Sequence, residues 1–230
     1  MNLDRIFLSE SHPCGKELHY VQHALEAKAI TSGGNVVRDF EEDLECYLGN
    51  NVIVNATNSG TSAIHLGLLL LGVKPGDEVI CQSMTFSASV NPILYIGASP
   101  VFVDSELDTW NMCPIALEEA IQDRISKGKK PKCIIVVDLY GMPYHADRIN
   151  EVANKYGIAV LEDSAEALGS RYKGVPCGTL GDIGVFSFNG NKIITTSSGG
   201  ALLLSDASQK ERAAFLATQA RDAAPYYQHS

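Results

Sequence analysis

Near-continuous apolar runs, each short and set off by a stretch of different periodicity, mark the middle of the chain at 79–81, 101–103, 133–137, 158–161, 185–188 and 201–204. A strand buried on both faces reads this way, whereas a strand with one wet face alternates. Between the runs, residues 115–125 and 146–156 carry apolar side chains at helical spacing, most clearly Ile149, Val152, Ala153 and Tyr156. Buried strands separated by helices imply crossover connections and helices on both faces of one sheet. The expected fold is α/β: a three-layer α/β/α sandwich around a mainly parallel, mixed sheet. Turns at Lys74-Pro75-Gly76-Asp77 and Lys155-Tyr156-Gly157 punctuate the units.

The two ends differ from this middle. Residues 17–29 and 36–48 read as amphipathic helices, the second stopped by Gly49, with a loop at 31–35 between them. Residues 213–221 look helical, and 224–230 form no expected element. Hydrophobic residues make up 45% of the 230, enough for one globular core or slightly more. A formal net charge of −9 argues against broad nucleic-acid or anionic-membrane binding, which needs a basic footprint. No apolar run approaches the roughly 20 residues of a membrane helix, and Met1-Asn2-Leu3-Asp4-Arg5 lacks the form of a signal peptide. The expectation is a cytoplasmic protein. Cys14, Cys46, Cys81, Cys113, Cys133 and Cys177 are scattered, and the six histidines show no metal spacing, so neither a disulfide framework nor a metal site is expected.

Three segments carry chemistry. In Asn58-Ser59-Gly60-Thr61-Ser62-Ala63-Ile64, a glycine and small hydroxyl residues lead into an apolar helix. Such a helix start offers free N–H groups to a phosphate, and it is equally an ordinary hydroxyl N-cap. In Val160-Leu161-Glu162-Asp163-Ser164, a carboxylate ends a buried strand, where ligands bind open α/β sheets. It could pair with a cationic ring nitrogen or cap the following helix, and of the adjacent Glu162 and Asp163 one should face away. In the segment 184–200, Lys192 follows a buried strand among glycines and small polar residues. A surface lysine is the ordinary reading, but withdrawal from water favours the neutral amine that attacks carbonyls. Phosphate cradle, ring-nitrogen carboxylate and lysine together are the three handles of pyridoxal phosphate (PLP).

Along essentially its whole length the chain resembles the DegT/DnrJ/StrS family of nucleotide-sugar aminotransferases, which are fold-type I PLP enzymes. The resemblance rests on Gly60-Thr61-Ser62-Ala63, Gly76-Asp77-Glu78-Val79-Ile80, Pro100-Val101-Phe102-Val103-Asp104, Leu139-Tyr140-Gly141, Glu162-Asp163-Ser164-Ala165-Glu166-Ala167-Leu168-Gly169 and Ser187-Phe188-Asn189-Gly190-Asn191-Lys192. It implies that Lys192 forms the Schiff base and that Asp163 pairs with the pyridine nitrogen. It places Glu166 near the phenolic oxygen and Gly60, Thr61, Ser62 and Ser187 at the phosphate. Phe86 would stack on the ring, although a core phenylalanine is the competing reading. Asn189 stands where many members have histidine. Ser198 stands where many have a glycine or glutamate, and its side chain could disturb that turn.

The resemblance further implies an amino-acid donor (glutamate), a nucleotide-linked keto-sugar acceptor, with 187–196 leaning towards UDP-linked 4-keto-6-deoxyhexosamines, and a role in polysaccharide biosynthesis. It implies a homodimer, with residues 2–34 partly at the interface. Residues 1–230 correspond to the PLP-binding large domain, with a helical segment over about 1–50. Because family members continue into a smaller domain, a truncated and catalytically inactive chain is the alternative expectation.

Overall fold

The computed structural model describes residues 13–29, 34–49 and 51–229. Its strands are β1 (Ile53–Thr57), β2 (Glu78–Gln82), β3 (Ser99–Val103), β4 (Cys133–Val137), β5 (Ala159–Asp163), β6 (Arg171–Tyr172), β7 (Val175–Pro176), β8 (Ile183–Ser187) and β9 (Gly200–Leu204). The helices are α1 (Glu17–Glu26), α2 (Asn35–Leu48), α3 (Gly60–Leu70), α4 (Asn91–Tyr95), α5 (Pro114–Ser126), α6 (Ala146–Tyr156) and α7 (Ala207–Ala217). Seven strands form one sheet in the order β1-β9-β8-β5-β4-β2-β3, and β6 pairs with β7 in a small ribbon. The ladders from β3 through β2, β4 and β5 to β8 are all parallel, while β9 runs antiparallel to both β8 and β1.

Successive side chains on a strand point to opposite faces, and the apolar runs divide accordingly. Val79, Cys81, Ile135, Leu161, Val185 and Leu202 join the core beneath α3 and α7. Ile80, Ile134, Val136 and Val160 join Leu117 and Ile121 of α5 and Ile149 and Ala153 of α6 on the other face. Phe186, Ala201 and Leu203 meet Leu44 and Leu48 of α2. The sheet is therefore covered on both faces, and the three-layer, mainly parallel α/β/α arrangement expected from the apolar runs is the one present.

The C-terminal helix departs from expectation. It spans Ala207–Ala217 rather than 213–221. Its start is polar, and its onset is set by the Asp206 side chain, which accepts from the Ser208 N–H. Beyond it no helix or strand follows among the described residues, as expected, and an isolated antiparallel bridge joins Arg221 to His229. The sheet edge at β1 is also specifically closed. The Val54 and Ala56 N–H groups donate to Glu45 Oε1 and Glu41 Oε1 at 2.8 and 2.7 Å, and Lys210 of α7 lies 3.5 and 3.2 Å from those two carboxylates. Of the loop expected at 31–35 and of the stretch 2–34, residues 2–12 and 30–33 lie outside the described residues.

Candidate cofactor site

The carboxyl ends of β5 and β8 and the amino end of α3 meet at one cavity of about 710 Å³. Gly60, Thr61, Phe86, Asp163, Glu166, Ser187, Asn189 and Lys192 all line it. Ser62 does not. Its N–H donates to the Ser59 side chain that caps α3, and its hydroxyl lies 2.9 Å from that of Ser59. Ser59, not a predicted site residue, thus holds the helix start.

The cradle is built from close backbone approaches. A Cβ on Gly60 would come within 2.9 Å of Ser187 Cβ, and one on Gly200 within 2.4 Å of the Ser59 carbonyl carbon. Only glycines let the ends of α3, β8 and β9 sit this close. Ser198 does not disturb the turn as expected. Its hydroxyl donates to the Asn58 carbonyl at 2.8 Å, while the positive φ angles fall on Ser197 and Gly199, at 70° and 140°.

Glu162 and Asp163 point to opposite sides of β5. Glu162 is buried and accepts from the N–H groups of Gly178, Leu180 and Gly181 at 2.6, 2.7 and 3.1 Å. It is a structural clamp on the 178–181 turn. Asp163 faces the cavity and is 4% exposed. Its Oδ1 accepts from Ala165 N–H at 3.2 Å and its Oδ2 from Ser89 Oγ at 2.6 Å. Burial pushes the Asp163 carboxyl above the ordinary range, and the Ser89 bond opposes that rise.

The Lys192 side chain is 11% exposed, and its Nζ lies 3.2 Å from Glu166 Oε1. Glu166 Oε2 accepts from Tyr140 N–H at 3.0 Å. One carboxylate therefore links the lysine to a residue held at φ 52°, a contact that burial alone did not foretell. Phe86 is 74% exposed and forms part of the cavity wall, so it is not a core residue. Asn189 lies beside Ser187 and donates to Asn191 Oδ1 at 3.0 Å.

Sequence reasoning missed Ser89, Tyr140 and Asp138. Asp138 is a buried carboxyl on the cavity wall that accepts from Ser164 Oγ at 2.5 Å and from Tyr144 N–H at 3.2 Å. Its only sequence signal was its place at the end of an apolar run. Among the described residues, Asp138, Glu162 and Cys177 lie close together, as do Glu106, Asp108 and His145. In the first group Glu162 is already met by backbone N–H donors.

A family model, the DegT/DnrJ/EryC1/StrS aminotransferase family, matches residues 14–230. The chain belongs to this family. EpsN of Bacillus subtilis, provisionally named a pyridoxal phosphate-dependent aminotransferase, is 51% identical over 226 residues, covering 98% of this chain and 58% of that protein. GDP-perosamine synthase of Escherichia coli O157:H7 is 44% identical over 200 residues, covering 86% and 52%. Among solved structures, Spr1654 of Streptococcus pneumoniae in its PLP form, provisionally described as a sugar aminotransferase, superposes with a TM-score of 0.87 at 32% identity, covering 97% of this chain and 60% of that one. The chain spans about half the length of the curated relatives it matches. Spr1654 has PLP and PMP forms, and the cofactor of the family is pyridoxal phosphate. The residues present fit it: a glycine cradle that a Cβ would fill, a buried carboxylate and a lysine share one cavity.

Proposed function

We propose that this chain supplies the PLP-binding face of an aminotransferase that moves an amino group from an amino acid, glutamate by family resemblance, to a nucleotide-linked keto-sugar. The observation that carries this reading is the convergence of Lys192, Asp163 and the Gly60 cradle on one cavity, whose size suits a small-molecule and cofactor site, roughly 300–1,000 Å³. When bound, PLP supplies a carbonyl that captures amines and a ring that takes up electrons.

The protein's residues have separable tasks in this reading. The Gly60 and Thr61 end of α3 and the Ser187 hydroxyl hold the phosphate. Asp163 offers an anionic oxygen to a protonated ring nitrogen, and Phe86 presents an aromatic face. Lys192 would hold the cofactor through its amine, and its Nζ would take up and return the proton of the donor amino acid. Glu166 receives the Lys192 ammonium, which keeps that amine near the cavity.

The acceptor sugar is the finer part of the proposal. The 187–196 segment suggests a UDP-linked 4-keto-6-deoxyhexosamine, while a GDP-perosamine synthase is among the relatives. Both nucleotide classes therefore belong in the test. The reading also includes a homodimer and a cytoplasmic setting. Among the described residues no helix is long and apolar enough to cross a membrane.

The test combines borohydride trapping of PLP with amino transfer from glutamate to a panel of UDP- and GDP-linked keto-sugars, on the full-length protein and on these 230 residues. Trapping at Lys192 with transfer to one panel member is the expected result. Trapping of PLP by the 230 residues without transfer to any panel member would support the second reading, a cofactor-binding portion inactive alone. Failure to trap PLP in either would overturn both.

A further inference from the structure

We propose that Ser89 is a positioning residue for Asp163, its hydroxyl fixing the carboxylate oxygen that faces the cavity while Thr85 fixes that hydroxyl. This deepens the PLP reading and rests on it for its functional meaning. The geometry is independent of the cofactor. Ser89 Oγ lies 2.6 Å from Asp163 Oδ2 and 2.7 Å from Thr85 Oγ1. An ionised carboxylate only accepts, so Ser89 spends its single proton on Asp163, and Thr85 must donate to Ser89. The three groups form one directed chain, Thr85 to Ser89 to Asp163.

The chain runs from the half-buried Thr85 inward along the cavity wall. Its two inner members are buried, Ser89 at 1% exposed and Asp163 at 4%. With Ala165 N–H on Oδ1 and Ser89 on Oδ2, both carboxylate oxygens are held, which fixes its plane while leaving further lone pairs of Oδ2 for a ring N–H. Charge-assisted bonds of this kind are shorter and stronger than neutral ones.

The placement couples two jobs in one short turn. Ser89 closes the Ser87–Ser89 3₁₀ turn, and its N–H donates to the carbonyl of Phe86, the residue just before the turn. The same turn thus holds Phe86 on the cavity wall and puts Ser89 on the carboxylate 74 residues later in sequence. The charged and titratable groups that act on Asp163 are Lys192, of opposite sign, Glu166, of like sign, and the buried thiol of Cys81. Against this surround, removal of the Ser89 hydroxyl takes away a stabiliser of the Asp163 anion and leaves its burial in place.

The experiment compares wild type, Ser89→Ala and Ser89→Thr. In the cofactor-free protein, the carboxyl ¹³C resonance of Asp163, assigned by its loss in Asp163→Asn, is titrated with pH. Ser89→Ala should raise the midpoint by about one unit, a tenfold change in ionisation, and Ser89→Thr should restore it. In the PLP-loaded protein, Ser89→Ala should slow the glutamate half-reaction roughly ten- to a hundredfold, the scale of a hydrogen bond to a charged group. It should also shift the acid limb of the rate profile upward, with Thr again rescuing. If Ser89→Ala fails to fold by circular dichroism, Ser89→Gly takes its place. An Asp163 midpoint unchanged in the hydroxyl-less variant overturns the proposal, as does a slowed half-reaction with an unmoved acid limb. If wild type binds no PLP, the functional reading fails while the cofactor-free titration still decides the role of Ser89.

Discussion

Lys192 and Asp163 reach the same cavity from opposite chemical starting points, one a cation with a carboxylate 3.2 Å away, the other an anion held by a hydroxyl. Lys192→Ala should abolish borohydride-trapped PLP, and retention of a trapped adduct would reassign the lysine. Asp163→Asn should lower turnover on the order of a hundredfold, as loss of one preorganised electrostatic contact does. PLP affinity should fall by less than about tenfold, because the Gly60 cradle and Lys192 remain. Unchanged turnover beside measured cofactor occupancy would reduce Asp163 to a cap.

Asp138 predicts a pH effect. Burial and then the neighbouring Glu162 hold its carboxyl well above the ordinary range, and Glu162, with three backbone donors, is the better anion of the pair. The folded protein therefore keeps a proton that the unfolded chain releases above about pH 4. This stabilising contribution is complete below that pH and is lost as pH rises towards the folded value, by up to about 1.4 kcal/mol per unit. Asp138→Asn should flatten the decline in urea stability as pH rises above about 4; a slope identical to wild type would refute the assignment. The sequence made Lys192 and Asp163 legible because Asp163 ends an apolar strand run and Lys192 follows one closely, among glycines and small polar residues. It concealed Ser89, Tyr140 and Asp138, because their partners lie 74, 26 and 26 residues away and no spacing rule reaches across the sheet.

At the scale of elements, the central strands were readable because burial on both faces leaves a contiguous apolar signature. Strand β1 was not, since Asn55 and Thr57 interrupt it. The start of α7 was hidden by its polar first turns, where Asp206 rather than apolar periodicity sets the boundary. Helix α2 was readable as amphipathic, but the role of its acidic side was not. Glu41 and Glu45 stand four apart, as solvated surface charges often do, yet they close the free edge of β1 by accepting from Ala56 and Val54. An unpaired strand edge invites association, and each buried N–H left without a partner costs about 1–3 kcal/mol. The double substitution Glu41→Ala with Glu45→Ala should lower unfolding free energy by about 2–4 kcal/mol on that scale and increase light scattering on heating. A urea midpoint within error of wild type would show that water satisfies the edge equally well.

At the scale of the whole molecule, three of the large apolar side chains left on the surface stand on the cavity wall. Phe86, Met84 and Tyr140 line the cavity, Tyr140 being 82% exposed, and the exposed Ile193 and Ile194 follow Lys192 in sequence. Helix α1 buries none of its residues and exposes Leu18, Tyr20, Val21 and Leu25. Scattered exposed apolar groups are ordinary, whereas a contiguous set around a site marks a surface that another body covers. A second copy of the chain is the partner that the homodimer reading requires, and two-fold contacts are the commonest way for identical chains to meet. An interface of standard size would bury about 1,600 Å² in total and centre on large apolar and aromatic side chains. The expected outcome is a concentration-dependent sedimentation profile shifting from one copy to two in the micromolar range. Ile193→Asn with Tyr140→Ser should move that transition to higher concentration by at least tenfold, about 1.4 kcal/mol, while leaving the circular dichroism spectrum unchanged. A single sedimenting species of one-copy mass across the whole range, in wild type and variant alike, would show that this opening faces solvent in the working protein.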